Sequence, residues 1–182
     1  MRKSIFTLAP VVAALLAGAG VAQAASNAQM TITANVVAAT CDVSLSNPSL
    51  DLGNYSKSAF TAVATPIVDS VKTFTVGLNN CETPVAANDQ ASLIVTGQTL
   101  GGNTNIFNST GTNTGVMLSE VTSPTTYITA GQKLSVATAG ETPEAGDFNA
   151  KSLSLQAGLA STSTTPDLGL VSAPIVFSFA YN

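Results

Sequence analysis

The run Ala173-Pro174-Ile175-Val176-Phe177-Ser178-Phe179-Ala180-Tyr181, followed only by Asn182, limits the fold more than any other stretch of this chain. Ile175, Phe177, Phe179 and Tyr181 alternate with smaller or more polar residues, the period-two pattern of a half-buried strand. No turn and no returning hairpin partner follow it in the sequence. An apolar strand with a bare edge is a template for aggregation, so something has to cover it. The expectation is that an earlier strand of the chain does so, or a strand of another chain.

The opposite end sets the compartment. Met1-Arg2-Lys3 is cationic, and Ile5 to Val21 is an almost unbroken run of apolar and small residues. Ala22-Gln23-Ala24 then fits the small-x-small cleavage pattern of a secretory leader. The run approaches the ~20 residues that span a bilayer, but its Ala/Gly-rich end and the cleavage pattern favour removal after Ala24. Residues 1–24 are therefore read as a signal peptide. Residues 25–182 are enough for one domain with a core of its own.

Composition removes whole classes of function. The chain has no His and no Trp, and Arg2 is its only arginine. Without the leader the basic residues are Lys57, Lys72, Lys133 and Lys151 against ten acidic ones, which takes the formal net charge from −4 to −6. An acidic chain without a basic stripe is poorly suited to nucleic acid. Lack of His excludes a Ser-His-Asp triad, a Cys-His dyad and nearly every zinc-enzyme arrangement. Lack of Arg removes the bidentate clamp on phosphate or carboxylate. The expectation is a protein that is not an enzyme and carries no cofactor or metal. Glu141, Glu144 and Asp147 share a Pro/Gly loop without an EF-hand pattern and read as a solvated loop. Asn54-Tyr55-Ser56 and Asn108-Ser109-Thr110 match the glycosylation sequon and read as chance.

Cys41 and Cys81 are the only cysteines, an even pair in an exported chain, so a disulfide is expected. Closing a loop of about 40 residues would constrain the unfolded chain by roughly 4 kcal/mol.

The remainder reads as short strands between turns. Ala28, Met30, Ile32, Ala34 and Val36 fall on one face of an alternating segment. Val43 and Leu45 lead into Ser46-Asn47-Pro48-Ser49, and Leu50 and Leu52 bracket a further short strand ended by Gly53-Asn54. Strands are expected over 71–78, 91–96, 116–121, 125–129, 133–136, 153–159 and the final run, with loops over 101–115, 139–147 and 160–167. No segment of helical length has a 3.6-residue period. Many short strands in one domain predict a β-sandwich or barrel.

These segments carry a resemblance. Residues 32–43, ITANVVAATCDV, resemble the first strand of chaperone–usher pilins, the fimbrial subunits of Gram-negative bacteria. Asp51-Leu52-Gly53-Asn54-Tyr55-Ser56 is similar to their short segment after the first cysteine, and residues 74–82, FTVGLNNCE, to the strand with the second. The ending, with its alternating apolar residues and penultimate tyrosine, is similar to the pilin C-terminus. These motifs keep the family's order over nearly the whole exported chain, while residues 97 to 165 match in general character only.

The resemblance implies an incomplete immunoglobulin-like β-sandwich that lacks its final strand, over residues 34–182, with residues 25–33 as an N-terminal donor-strand extension. A periplasmic chaperone would lend the missing strand. At the outer-membrane usher, the extension of the next subunit would replace it, a form of β-augmentation. Ala28, Met30 and Ile32 would then be the donor side chains. Phe177, Phe179 and Tyr181 would line or flank the receiving groove, Tyr181 serving equally as a core aromatic with its hydroxyl at the rim. The function implied is a structural subunit of a surface fimbria, partnered by identical or related pilins and supporting adhesion. A single-domain tip or minor subunit that binds a host glycan or receptor is the alternative.

Overall fold

The computed structural model describes residues 39–181. Eight strands follow one another: β1 (Asp42–Leu45), β2 (Lys72–Asn79), β3 (Gln90–Gly97), β4 (Thr114–Glu120), β5 (Ser123–Tyr127), β6 (Lys133–Thr138), β7 (Ser152–Ser161) and β8 (Ile175–Tyr181). The only helical pieces among the described residues are three single 3₁₀ turns, Lys57–Ala59, Val68–Ser70 and Ala145–Asp147. A five-stranded sheet runs β1-β2-β7-β4-β5 and a three-stranded sheet β6-β3-β8, with every pairing antiparallel. The described residues are thus all-β, two antiparallel sheets around one main core, as the strand pattern predicts.

Alternation places the core. Val76 and Leu78 of β2, Leu93 and Val95 of β3, Leu118 of β4 and Leu155 of β7 are buried on the inner faces. Phe107 and Phe148, both fully buried, reach the same cluster from loops. At β1 the sandwich is stapled: Cys41 and Cys81 are joined, next to the register pair Asp42↔Asn79.

The outer face of the larger sheet carries a second cluster, Ile106, Met117 and Ala160, with Ala64, Leu100 and Tyr127 packed on it. Two glycines permit this. A Cβ on Gly115 would lie 2.6 Å from Ile106 and from the Phe107 carbonyl oxygen, and one on Gly158 would lie 2.7 Å from Pro66. Chain 64–70 continues the edge that β2 leaves uncovered: the Ala64 and Ile67 amides donate to the Ser161 and Leu159 carbonyls at 2.8 Å.

Three loops differ in detail from the sequence reading. Residues 50–52 form no strand: Leu50 and Leu52 bury their side chains against the core, but no strand lies beside their backbone. Gly53 then turns with a φ of 98°, its amide donating to Asp51 at 2.9 Å. Within the 101–115 loop, Phe107 exchanges two 2.8 Å backbone bonds with Val116, so it sits as a one-residue strand. Strand β7 extends to Ser161, shortening the loop expected from residue 160.

The loop over 139–147 is organised from within. The Asp147 carboxylate accepts the Gly140 and Glu144 amides at 3.1 Å, and these bonds hold its pKa below the ordinary carboxylate value. No cluster able to hold a metal ion occurs among the described residues. Asn108 of the second sequon is buried, its amide bonded to Thr112 and Thr114 and its carbonyl oxygen to Thr110.

Candidate functional site

Strand β8 forms the edge of the smaller sheet. It pairs with β3 from Ala91↔Tyr181 to Gly97↔Ile175, and among the described residues no strand lies on its other side. Strand β1 forms the facing edge of the larger sheet and approaches β8. It is only four residues long and ends at Leu45, where Ser46–Ser49 turn the chain away.

Beyond that turn a groove of about 990 Å³ opens along β8. Phe74, Val116, Leu118, Ala157 and Leu159 floor it, contributed by β2, β4 and β7. Leu50, Leu52 and Phe60, from the chain between β1 and β2, and Ile175 and Phe177 of β8 also line it. The Phe74 and Phe177 rings meet across the floor, 5.9 Å between centroids and tilted by 59°. Leu168 and Leu170 stand at the rim and are 81% and 80% exposed. The loop that carries them is tied down on both sides: the Asp167 amide donates to Asn113 at 2.8 Å, and the Ser109 amide donates to the Ser172 carbonyl at 2.8 Å.

The three residues expected at the groove separate into two roles. Phe177 lines it. Phe179, opposite Leu93, and Tyr181, opposite Ala91, continue on the same face of β8 and pack against the main core. The Tyr181 ring meets Phe148 edge-on at 6.1 Å. Its hydroxyl accepts the Val85 amide at 3.0 Å and donates to the Asp89 carboxylate. Asp89 also accepts the Val85 and Ala86 amides, at 3.1 and 2.7 Å. The Tyr181 hydroxyl first, then the Ala86 amide, hold the Asp89 carboxyl below its ordinary pKa. Burial, then the Asp89 bond, push the Tyr181 phenol upward. Ala28, Met30 and Ile32 lie outside the described residues, as do the ranges 1–24 and 25–33.

The groove offers apolar surface beside a strand edge that no described strand pairs. That combination suits an incoming extended segment: backbone bonds add a strand, and alternate apolar side chains fill the floor. Sequence reasoning did not find Phe74, Phe60 or the rim leucines as groove residues. Their role depends on how β1 ends and on which edges the topology leaves open.

Comparison with known proteins supports this architecture. The P pilus rod subunit PapA has a solved structure that superposes with a TM-score of 0.54 at 21% identity, covering 85% of this chain and 99% of that one. An antigen and type I fimbria protein of Burkholderia pseudomallei gives a TM-score of 0.53 at 17% identity, covering 79% of this chain and 99% of that one. At these identities the likeness is one of fold. No curated protein matches the sequence. Kinship rests on the sequence itself, because the family described as "Fimbrial protein" matches residues 26–182, nearly the whole chain. The two-sheet sandwich is therefore that of a pilus subunit, and the chain belongs to the fimbrial protein family.

Proposed function

We propose that this pilus subunit polymerises by strand exchange, the extension around residues 25–33 of one subunit entering the groove beside β8 of the next. The observation that carries the reading is the apolar floor of the groove beside the first residues of β8, whose outer edge no described strand pairs. The extension would supply what the groove lacks: its sequence alternates, so that Ala28, Met30 and Ile32 would share one face of a strand. Before assembly the same groove would be filled by a strand lent by a periplasmic chaperone, and an outer-membrane usher would be the place of exchange. Export follows cleavage after Ala24, and the assembled fibre lies on the cell surface. A family match over residues 26–182 favours the structural reading over a receptor-binding tip.

The double substitution Met30→Asp with Ile32→Asp tests the exchange. Burying a Met or Ile side chain contributes roughly 1.5–3 kcal/mol, while a carboxylate placed there is desolvated without a partner. The variant should co-purify with its chaperone but stop fibre growth, read as fibre length by electron microscopy. Fibres of normal length would refute the donor assignment.

A further inference from the structure

The register of β8 is not set by a turn. Its sheet neighbour β3 ends at Gly97, far away in sequence, and residues 162–174 that lead into β8 form an irregular loop. Nor does the apolar pattern fix it. Ile175, Phe177, Phe179 and Tyr181 are all large and apolar on one face, so a slip of one residue is forbidden but a slip of two keeps every face correct. Two ties break this degeneracy: the Ser109 amide and hydroxyl hold the Ser172 carbonyl just before the strand, and one group acts within β8 itself. Tyr181 carries the only hydroxyl on the inward face of β8, and only the observed register sets it against Asp89 and the Val85 amide. Shifted two residues one way, Tyr181 would lie opposite Leu93, a fully buried position, and lose the bond. Shifted the other way, Phe179 would lie opposite Ala91 and bring no hydroxyl.

We infer that Asp89 is a register pin: through the Tyr181 hydroxyl it fixes which residues of β8 face the groove, and thereby the alignment at which an incoming strand docks. Asp89 is a positioning residue, since it does not line the groove and acts through Tyr181. The 82–89 turn that presents it follows directly on Cys81, so the pin and the disulfide hold neighbouring parts of the sandwich. The consequence for assembly rests on the strand-exchange reading; the pin itself does not.

Disulfide trapping in the exported full-length chain reads the register directly. Directly opposed residues of antiparallel strands have Cα atoms about 4.5–5.5 Å apart, within disulfide range, and a two-residue slip moves them beyond it. Thr96→Cys with Val176→Cys reports the observed register, since these exposed residues are opposed. Thr96→Cys with Ser178→Cys, and Ile94→Cys with Val176→Cys, report the two slips. With Asp89 and Tyr181 intact, only the first pair should close. In Tyr181→Phe, which keeps the ring on Phe148, at least one slip pair should close as well, and Asp89→Ala, which removes the acceptor, should do the same. Trapping of the observed register alone in both variants would overturn the pin and leave strand exchange untouched.

A measurement on the unaltered chain stands beside it should either variant fail to accumulate. The Tyr181 phenol, followed by NMR of the ring carbon, should ionise above the ordinary tyrosine range. Ionisation at the ordinary value would refute the bond. Slipped strands with unaltered fibres would refute the link between pin and assembly.

Discussion

Phe177→Ala is the perturbation that separates a groove from an ordinary core. In the single subunit the Phe177 ring is half-buried, packed on Phe74 with one side toward the groove. Fully burying a phenylalanine contributes about 1.5–3 kcal/mol, so roughly half of that acts within the subunit and the rest appears when a strand covers the ring. The tilted contact with Phe74 adds about 0.5–1.5 kcal/mol. A fibre junction should therefore weaken by about 1 kcal/mol or more beyond the loss in the subunit itself, roughly fivefold or more in the junction equilibrium by the usual 1.4 kcal/mol per decade. Leu134→Ala is the control, because Leu134 is buried on β6 outside the groove and costs about 2–5 kcal/mol wherever the core is intact. Denaturant titrations of the monomeric subunit freed of chaperone and of fibres supply the comparison. Phe177→Ala should lower the fibre midpoint more than the subunit midpoint, and Leu134→Ala should lower both alike. Equal losses for Phe177→Ala would refute the placement of its free side toward an incoming strand.

Other expectations follow from the same structure. Cys41→Ser removes a closure worth roughly 4 kcal/mol and should leave a protease-sensitive subunit of low yield; unchanged proteolysis would show that β1 holds without its staple. Deleting residues 177–182 removes most of β8 and should abolish capture of a soluble chaperone complex, checked by co-purification. Gly115→Val forces atoms onto Ile106 and the Phe107 carbonyl and should destabilise the subunit by about 1–3 kcal/mol in thermal melts. Asp89 and Asp147 have folded-state pKa values below their unfolded ones, so their stabilisation is complete above the ordinary carboxylate range and is lost as pH falls through the depressed values. Between about pH 5 and about pH 2 the unaltered chain should therefore lose more stability than Asp147→Asn, and parallel profiles would contradict this.

The last strand was legible because its alternation is carried by large side chains over the whole of Ile175–Tyr181. Strands β2 to β4, β6 and β7 were legible for the same reason, with ends shifted by a residue or two. Leu50 and Leu52 were misread because two alternating leucines look the same whether or not their backbone has a neighbour to bond. Phe107 was hidden by its Gly/Asn/Thr surroundings, which signal a loop, and a loop is what surrounds its single bridge. Half of the site lay beyond local patterns altogether. Phe74, Phe60 and the rim leucines become groove residues only once β1 stops at Leu45 and β8 occupies a sheet edge. Asp89 gives no signal in the sequence, because its meaning comes from a residue 92 positions away.

The central claim is that a strand from another subunit occupies the groove, and one cross-link addresses it. Met30→Cys places a thiol on the extension, and Val116→Cys places one on the groove floor. Fibres carrying both, oxidised and run on a non-reducing gel, should give a ladder of covalent multimers that collapses to monomer on reduction. A single band of internally cross-linked monomer, or fibres that form no cross-link at all, would contradict the account.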